Sequence, residues 1–218
     1  DAEVLPHAFD PRILERLDRG EPGESLGVTF VGQLVAGREF HESRLRLLAE
    51  VAREVPLTLF VPRSRPTWRS RVRRLLSGAS RRLPPELGEV RDGVYGLRMY
   101  AALRASRATL NIHADSSPRF ASNMRLYEAT GAGVCLVTDW RENLPQLFEP
   151  DREVVTYRDA LECGAVLRRL LDRPDEAKAI GAAGQRRTLA THTFAHRAPL
   201  LDEILRRVLR SRARAAVC

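Results

Sequence analysis

The sequence is poor in lysine, aromatic residues and cysteine, and it has no long hydrophobic run. Only one of its 36 basic residues is a lysine, and aromatic residues make up 6% of the chain. No apolar segment approaches the roughly 20 residues of a transmembrane helix, and no basic-then-apolar signal peptide opens the chain. The three cysteines, Cys135, Cys163 and Cys218, have neither metal-ligand nor redox spacing. These absences argue against a membrane-spanning or disulfide-stabilised protein and predict a reducing, cytoplasmic setting.

The net charge of +8 is carried almost entirely by arginine. Arginine forks recognise phosphate and carboxylate groups in a bidentate manner. A coding bias that favours arginine and alanine together explains the same composition, because the chain is rich in both. The charge alone therefore does not establish a nucleic-acid partner.

Apolar strands alternate with amphipathic helices along most of the chain. Residues 28–32 and 57–61 are continuous apolar runs, and residues 41–54 between them carry apolar side chains at helical spacing. The later segments predict strands at 108–113, 135–138 and 153–157 and helices at 96–107, 123–130, 142–148, 158–172, 174–190 and 195–212. This order predicts an α/β, Rossmann-like, doubly wound parallel sheet of about five or six strands with C-terminal helices.

Three segments lie outside this alternation. Residues 1–24 contain prolines and a turn-rich break, so we interpret them as a connector and lead-in to a domain at 25–195. Residues 63–91 form an arginine-rich insert, within which residues 68–76 fit a basic amphipathic helix. Residues 196–218 are predicted to be a C-terminal helix and tail. No internal repeat is present.

Ligands of open parallel sheets bind beyond the carboxyl ends of the strands, where the strand order reverses. The loops to inspect are therefore those after Gly32, His113 and Thr138. The first contains Gly32 and Gln33 but neither a Walker motif nor a dinucleotide fingerprint. It fits a close approach of the backbone to an anion, and it fits a plain strand-ending turn equally well.

The helix after the second of these loops carries the most informative residues. Asn123 stands at the expected N-cap, with Ser122 beside it, and a helix N-terminus attracts phosphate. Glu128 follows about 7.5 Å further along the helix, where a carboxylate can accept hydrogen bonds from a ribose diol. Arg125 can hold Glu128 or reach a phosphate oxygen, and an ordinary surface ion pair is the simpler interpretation.

His113 ends the preceding strand and points toward the same crevice. A histidine there can bind a sugar hydroxyl or stabilise charge on a phosphate; a histidine satisfied by the backbone is the structural alternative. We predict no metal site, because the other histidines lack carboxylate or cysteine partners at ligand spacing.

Several motifs in order resemble the C-terminal half of group 1 glycosyltransferases with the GT-B fold. They are LNIH (110–113), NMRLYEATGAG (123–133), LVTD (136–139), LPQLFEPDREVVTY (144–157) and HTFAHR (192–197), preceded by the connector-like LPHAFDP (5–11). The closest branch is that of the spore maturation or spore coat glycosyltransferases. The resemblance covers about residues 4–206.

This resemblance implies a binding domain for a nucleotide diphosphate sugar, with Glu128 in the position that holds the ribose. It places Gly32 and Gln33 near the diphosphate and the turn at Tyr95 and Gly96 near the base. Asn111, Ser122 and Asn123 complete the expected binding residues, and His113 and Arg125 are the expected catalytic ones. The broader superfamily has a second glutamate eight residues before the ribose-binding one, and here that residue is Phe120.

The resemblance also implies that the acceptor domain, an N-terminal GT-B half, lies outside this chain, which then binds donor without turnover. No metal or cofactor is expected, because GT-B enzymes generally stabilise the departing diphosphate with helix N-termini and basic side chains. The insert at 63–91 is compatible with contact with an anionic membrane surface, and a solvated arginine-rich loop is the alternative.

Two other functions compete with this one. A basic module for nucleic acid or an anionic membrane surface would be centred on residues 68–82. The low aromatic content and the absence of a known recognition motif make nucleic acid the weaker partner. A non-catalytic scaffold domain ranks last, because the acidic cluster of phosphoacceptor domains is missing.

Overall fold

Six parallel strands form one sheet in the order β3-β2-β1-β4-β5-β6 in the computed structural model, which describes residues 5–20, 24–34, 39–62, 85–113 and 118–215. The strands are β1 (Leu26–Val31), β2 (Leu57–Val61), β3 (Glu89–Asp92), β4 (Ser106–Asn111), β5 (Cys135–Asp139) and β6 (Val155–Tyr157). Every neighbouring pair is parallel. The order reverses between β1 and β4, so the carboxyl ends of these two strands flank the expected crevice.

Helices cover both faces of the sheet. They are α1 (Arg12–Asp18), α2 (Glu39–Val51), α3 (Leu97–Arg104), α4 (Arg125–Ala132), α5 (Leu144–Leu147), α6 (Ala160–Asp172), α7 (Pro174–Thr191) and α8 (Phe194–Ala215). One core lies under α2, α6 and α7, and it contains Leu48, Leu167 and Ile180. The other lies under α3, α4 and α5. The predicted doubly wound, Rossmann-like fold is confirmed.

Strand β5 shows why both faces need cover. Cys135 and Val137 belong to the first core, whereas Leu136 belongs to the second. Side chains of a strand alternate between faces, so a strand that is apolar throughout requires helices on both sides. The continuous apolar runs in the sequence are therefore explained by strands that are buried on both faces.

The sheet contains one strand that the sequence analysis missed. Residues 89–92 were assigned to the arginine-rich insert, but they form the edge strand β3, which pairs with β2 from Thr58↔Glu89 to Val61↔Asp92. An edge strand presents charged residues to solvent, which removes the apolar signal. Arg91 is an example, since its guanidinium bonds to Glu89 at 2.9 Å and to Glu24 at 2.8 Å. The insert therefore ends earlier than predicted, and its residues 63–84 lie outside the described residues.

The boundaries of α3 and β4 are shifted from the prediction. The helix ends at Arg104 rather than at residue 107, and β4 begins at Ser106 and ends at Asn111. His113 therefore lies two residues beyond the strand instead of at its end. Helix α4 ends at Ala132, and Gly133 follows as its C-cap with a φ of +85°, which suits a residue without a side chain.

Candidate functional site

Residues at the carboxyl ends of β1 and β4 are tied together by Arg44 of α2. Its guanidinium donates to the carbonyl of Ile112 at 2.9 Å and to the carbonyl of Gln33 at 3.3 Å. Gly32 follows β1, and its N–H donates to the carbonyl of Phe60 at 3.2 Å. The loop after the first strand and the loop after β4 are thus held side by side at the point where strand order reverses.

Asn111 connects β4 to its neighbours at this edge. The side chain of Asn123 donates to its Oδ1 at 2.7 Å, and its own Nδ2 donates to Thr138 at 2.9 Å. Its carbonyl accepts a hydrogen bond from Tyr157 at 2.9 Å. Asn111 is buried, and this network fixes the approach of the chain to α4.

The prediction that Asn123 caps a helix is wrong. Helix α4 begins at Arg125, Met124 occupies the N-cap position, and no side chain bonds to the cap. Asn123 does not cap because its amide is engaged with Asn111 of β4. The first turn of α4 therefore keeps N–H groups that no capping side chain satisfies.

Arg125 and Glu128 form an ion pair on the first turn of α4. Arg125 Nη1 lies 2.9 Å from Glu128 Oε2, and the side chains are only 16% and 12% exposed. The pair faces α3, since Arg125 also lies 3.1 Å from the sulfur of Met99. Burial lowers the pKa of Arg125, and burial together with the charge of Glu128 raises the pKa of Tyr100 to about 12. The pair is thus a packed, largely desolvated group and not an exposed surface pair.

The turn before α3 lies on the same side as this pair. Gly96 has a φ of +56°, and its carbonyl accepts hydrogen bonds from Met99 and Tyr100 at the start of α3. Tyr95 beside it is 69% exposed. Since Met99 contacts Arg125, the first turn of α3 joins the predicted base-side turn to the predicted ribose-side carboxylate.

His113 belongs to a different cluster. Its Nδ1 lies 2.6 Å from Oδ1 of Asp139, and its backbone N–H donates to the same oxygen at 3.0 Å. Arg141 donates to the other oxygen of Asp139 at 2.6 Å. The His113 side chain is 1% exposed, and its Nε2 has no partner among the described residues.

The ten predicted site residues therefore fall into three parts. Asn111 and Asn123 bond to each other, and Arg44 connects the loop of Gly32 and Gln33 to the end of β4. Arg125 and Glu128 pack against α3 on one face of the sheet, next to the turn of Tyr95 and Gly96. His113 and Asp139 lie toward the other face. Ser122 is exposed, as is Phe120, where the superfamily has its second acid. The roles of these residues stay predictions.

A family profile described as glycosyl transferase-like matches residues 44–205 of the chain. The chain belongs to this glycosyl transferase-like family. No curated protein matches its sequence. The finer resemblance to spore maturation or spore coat enzymes stays a prediction.

Solved structures place the glycosyl transferase-like chain among GT-B domains. Sucrose-phosphate synthase from Thermosynechococcus elongatus matches with a TM-score of 0.68 at 15% identity, over 96% of this chain and 53% of that one. HepE from Anabaena, in complex with UDP-glucose, gives a TM-score of 0.62 at 10% identity, over 91% and 55%. The C-terminal domain of LpcC, a glycosyl transferase group 1 family protein from Francisella tularensis, gives 0.52 at 10% identity, over 86% and 95%.

These similarities show the fold. The share of each solved structure that the chain covers shows how much of that protein it matches. The chain spans 53% and 55% of the first two structures, about half of each. It covers nearly all of the isolated C-terminal domain of LpcC. Within the described residues no helix is both long and apolar enough to cross a membrane, and no three His, Cys, Asp or Glu side chains cluster as metal ligands would.

Four side chains that contact the predicted site residues of this glycosyl transferase-like chain were not singled out in the sequence: Arg44, Thr138, Asp139 and Arg141. Asp139 is the last residue of β5, Thr138 precedes it in the strand, and Arg141 lies two residues beyond the strand, all beside a loop that the strand-end rule had marked for inspection. That rule was sufficient to find Asp139. The role of Arg44 could not be recognised from the sequence, because single basic residues are common in amphipathic helices.

Asp139 is expected to make the stability of the chain sensitive to acid. Burial alone would raise its pKa, but the hydrogen bonds and charge of His113, together with the charge of Arg141, hold that pKa below its ordinary 3.8. Stability from a lowered carboxyl pKa is present above the unfolded value and is lost as the pH falls through the folded value. Wild-type unfolding free energy should therefore fall more steeply than that of Asp139→Asn between about pH 5 and about pH 3.

Urea unfolding across this pH range measures the difference. Asp175→Asn is the matched control, because Asp175 is exposed on the first turn of α7 and should leave the pH slope as in the wild type. If the unfolding free energies of Asp139→Asn and the wild type changed equally with pH, Asp139 would not be the source of the acid sensitivity.

Proposed function

We propose that the chain is the donor-binding half of a glycosyltransferase that transfers a sugar from a nucleotide diphosphate sugar to an acceptor. The family match supports a transferase. Among the structures of like fold, HepE from Anabaena was solved with UDP-glucose and with UDP and glucose. The acceptor domain lies outside this chain, in keeping with the half-length match.

The desolvated carboxylate of Glu128, one turn into α4, carries this proposal. Its side chain is 12% exposed and held by Arg125, so it keeps a fixed orientation next to the uncapped start of the helix. A diphosphate at that start would receive N–H groups and the positive end of the helix dipole. The attached ribose would then lie along the first turn, within reach of the carboxylate.

The remaining groups have complementary roles in this proposal. Gly32 and Gln33 approach the diphosphate from the β1 side, and the Tyr95–Gly96 turn borders the base. The N–H groups of α4 and nearby arginines stabilise charge on the departing diphosphate without a metal ion, because fixed donors act where charge develops. Arg125 acts by positioning Glu128, since its guanidinium already contacts that carboxylate and Met99.

Thermal unfolding with a panel of nucleotides tests donor binding. UDP, GDP, ADP and CDP at saturating concentration should include at least one that raises Tm, because a ligand at about 100 times its Kd adds about 2.7 kcal/mol of stability. The same shift is expected with EDTA and with added Mg²⁺. An unchanged Tm with every diphosphate would overturn the proposal, and a shift seen only with Mg²⁺ would overturn its metal-free form.

A further inference from the structure

A cavity of about 310 Å³ lies at the carboxyl ends of β4, β5 and β6, next to α2. Its wall includes His113, Asp139, Trp140, Arg141 and Arg158. This volume is at the lower end of the range for small-molecule sites, about 300–1,000 Å³.

The cavity opens on the opposite face of the sheet from the Arg125–Glu128 pair. Leu47 of α2 and Tyr157 of β6 line it, and both pack with the core under α2, α6 and α7. Helix α4 covers the other core. The cavity is therefore a second pocket beside the crevice that we assign to the nucleotide.

The side chains of this wall offer more hydrogen-bond donors than acceptors. Asp139 is the one carboxylate among the described residues of the wall, and its oxygens already accept from the His113 backbone, from the His113 ring and from Arg141. By contrast, Nε of Arg141 and Nε2 of His113 are buried and have no partner among the described residues. A buried, unsatisfied nitrogen carries a desolvation penalty, which a ligand oxygen that reached this wall would remove.

Arg158 adds a second cation to the wall. Its guanidinium lies 5.1 Å from the centre of the Trp140 ring, and it pairs with no carboxylate of the described chain. Among the described residues of the wall, two arginines and one engaged carboxylate give a net positive charge. Guanidinium groups bind phosphate through paired, charge-assisted hydrogen bonds. A histidine nitrogen can accept from a protonated phosphate or donate to an ionised one.

We propose that this cavity is a second binding site that takes a phosphate group, separate from the nucleotide crevice. The group is inorganic phosphate or the phosphate of a phosphorylated sugar; the assignment to a sugar substrate rests on the proposed function. Trp140, in the same wall, offers an aromatic face for the sugar ring.

Trp140 also supplies the measurement. The sequence has two tryptophans, Trp68 and Trp140, so Trp68→Phe leaves Trp140 as the sole indole reporter in the full chain. Inorganic phosphate, glucose 6-phosphate, glucuronate and glucose are titrated separately while the tryptophan emission is recorded. A saturable change with glucose 6-phosphate or phosphate, and none with glucose, is expected. Tighter binding of the ester than of phosphate assigns the site to a sugar phosphate, and equal binding assigns it to the free ion.

Charge-neutral variants show whether the response comes from this wall. In the Trp68→Phe background, Arg158→Gln and Arg141→Gln should each weaken binding at least about tenfold, the effect of losing a charge-assisted hydrogen bond. Arg152→Gln is the matched control, because Arg152 is 74% exposed and paired with Glu149. Arg158 is itself exposed, so its variant keeps the test valid if Arg141→Gln does not fold.

Four results would overturn the proposal. They are the absence of a saturable change, undiminished binding in Arg158→Gln, a response to glucuronate without one to phosphate, and displacement of phosphate by UDP at this site. The thermal panel with nucleotides is independent of this titration, so a failure here leaves the donor proposal standing.

Discussion

Glu128→Ala should remove most of the affinity of the chain for the nucleotide diphosphate that it binds. A carboxylate that accepts two hydrogen bonds from a ribose diol contributes about 1.5–3 kcal/mol for each, so the Kd should rise about 100-fold or more. Isothermal titration of the nucleotide into each variant measures this change. The effect should be large because the carboxylate is held in place by Arg125 before the ligand arrives.

The main risk of this variant is that it leaves Arg125 without its partner. Arg125 is only 16% exposed, and an unpaired, desolvated charge destabilises a protein. Binding is therefore compared with the melting curve of each ligand-free variant. Glu149→Ala is the matched control, because Glu149 also pairs with an arginine three residues away but is 57% exposed; it should bind nucleotide as the wild type does.

A nucleotide that lacks the ribose diol distinguishes a loss of ligand recognition from a loss of folding in Glu128→Ala. The 2′,3′-dideoxy form of the nucleotide should bind the wild type weakly and should bind Glu128→Ala no worse than the complete nucleotide does. The two losses should not add, because both remove one interaction. Additive losses would mean that Glu128 acts on binding only through the packing of α4 against α3.

The fold could be predicted where burial dominates the sequence. Strands β1 and β2 are apolar runs, and together with the helix between them they predict a parallel unit covered on both faces. Strand β3 could not be predicted from an apolar run, because it is an edge strand that contains Glu89, Arg91 and Asp92. Its place is set by main-chain pairing with β2 and by the ion pairs of Arg91, neither of which leaves a periodic pattern.

The loops of the candidate site could be predicted from the sequence, but the hydrogen bonds between its side chains could not. The strand-end rule selected loops that the structure brings to one edge of the sheet, and Glu128 lies near the start of a helix as predicted. Asn123 was assigned to capping because asparagine favours that position, but its partner Asn111 is 12 residues away in sequence. The role of His113 in the nucleotide crevice stays a prediction, and its hydrogen bond to Asp139, from the neighbouring strand, was not foreseen.

The lead-in at residues 1–24 was predicted to be a connector, and that domain boundary stays a prediction; its residue Phe9 nonetheless packs into the described domain. Phe9 is 1% exposed, and its ring meets Tyr100 edge-on with 5.9 Å between ring centres. Its backbone N–H donates to the carbonyl of His192 at 2.9 Å, and its carbonyl accepts from Phe194 at 3.1 Å. Gly131 of α4 leaves room for the ring, because a Cβ there would overlap it.

Phe9→Ala should lower the free energy of unfolding by about 3–5 kcal/mol, the usual loss when a buried phenylalanine is replaced by alanine. The cavity would open between the lead-in and α4, the helix that carries Glu128. Urea unfolding followed by circular dichroism measures the loss. Leu5→Ala in the same segment is the control, because Leu5 is 40% exposed and its variant should unfold as the wild type does. A loss below about 1 kcal/mol for Phe9→Ala would show that the segment rests on the domain without stabilising it.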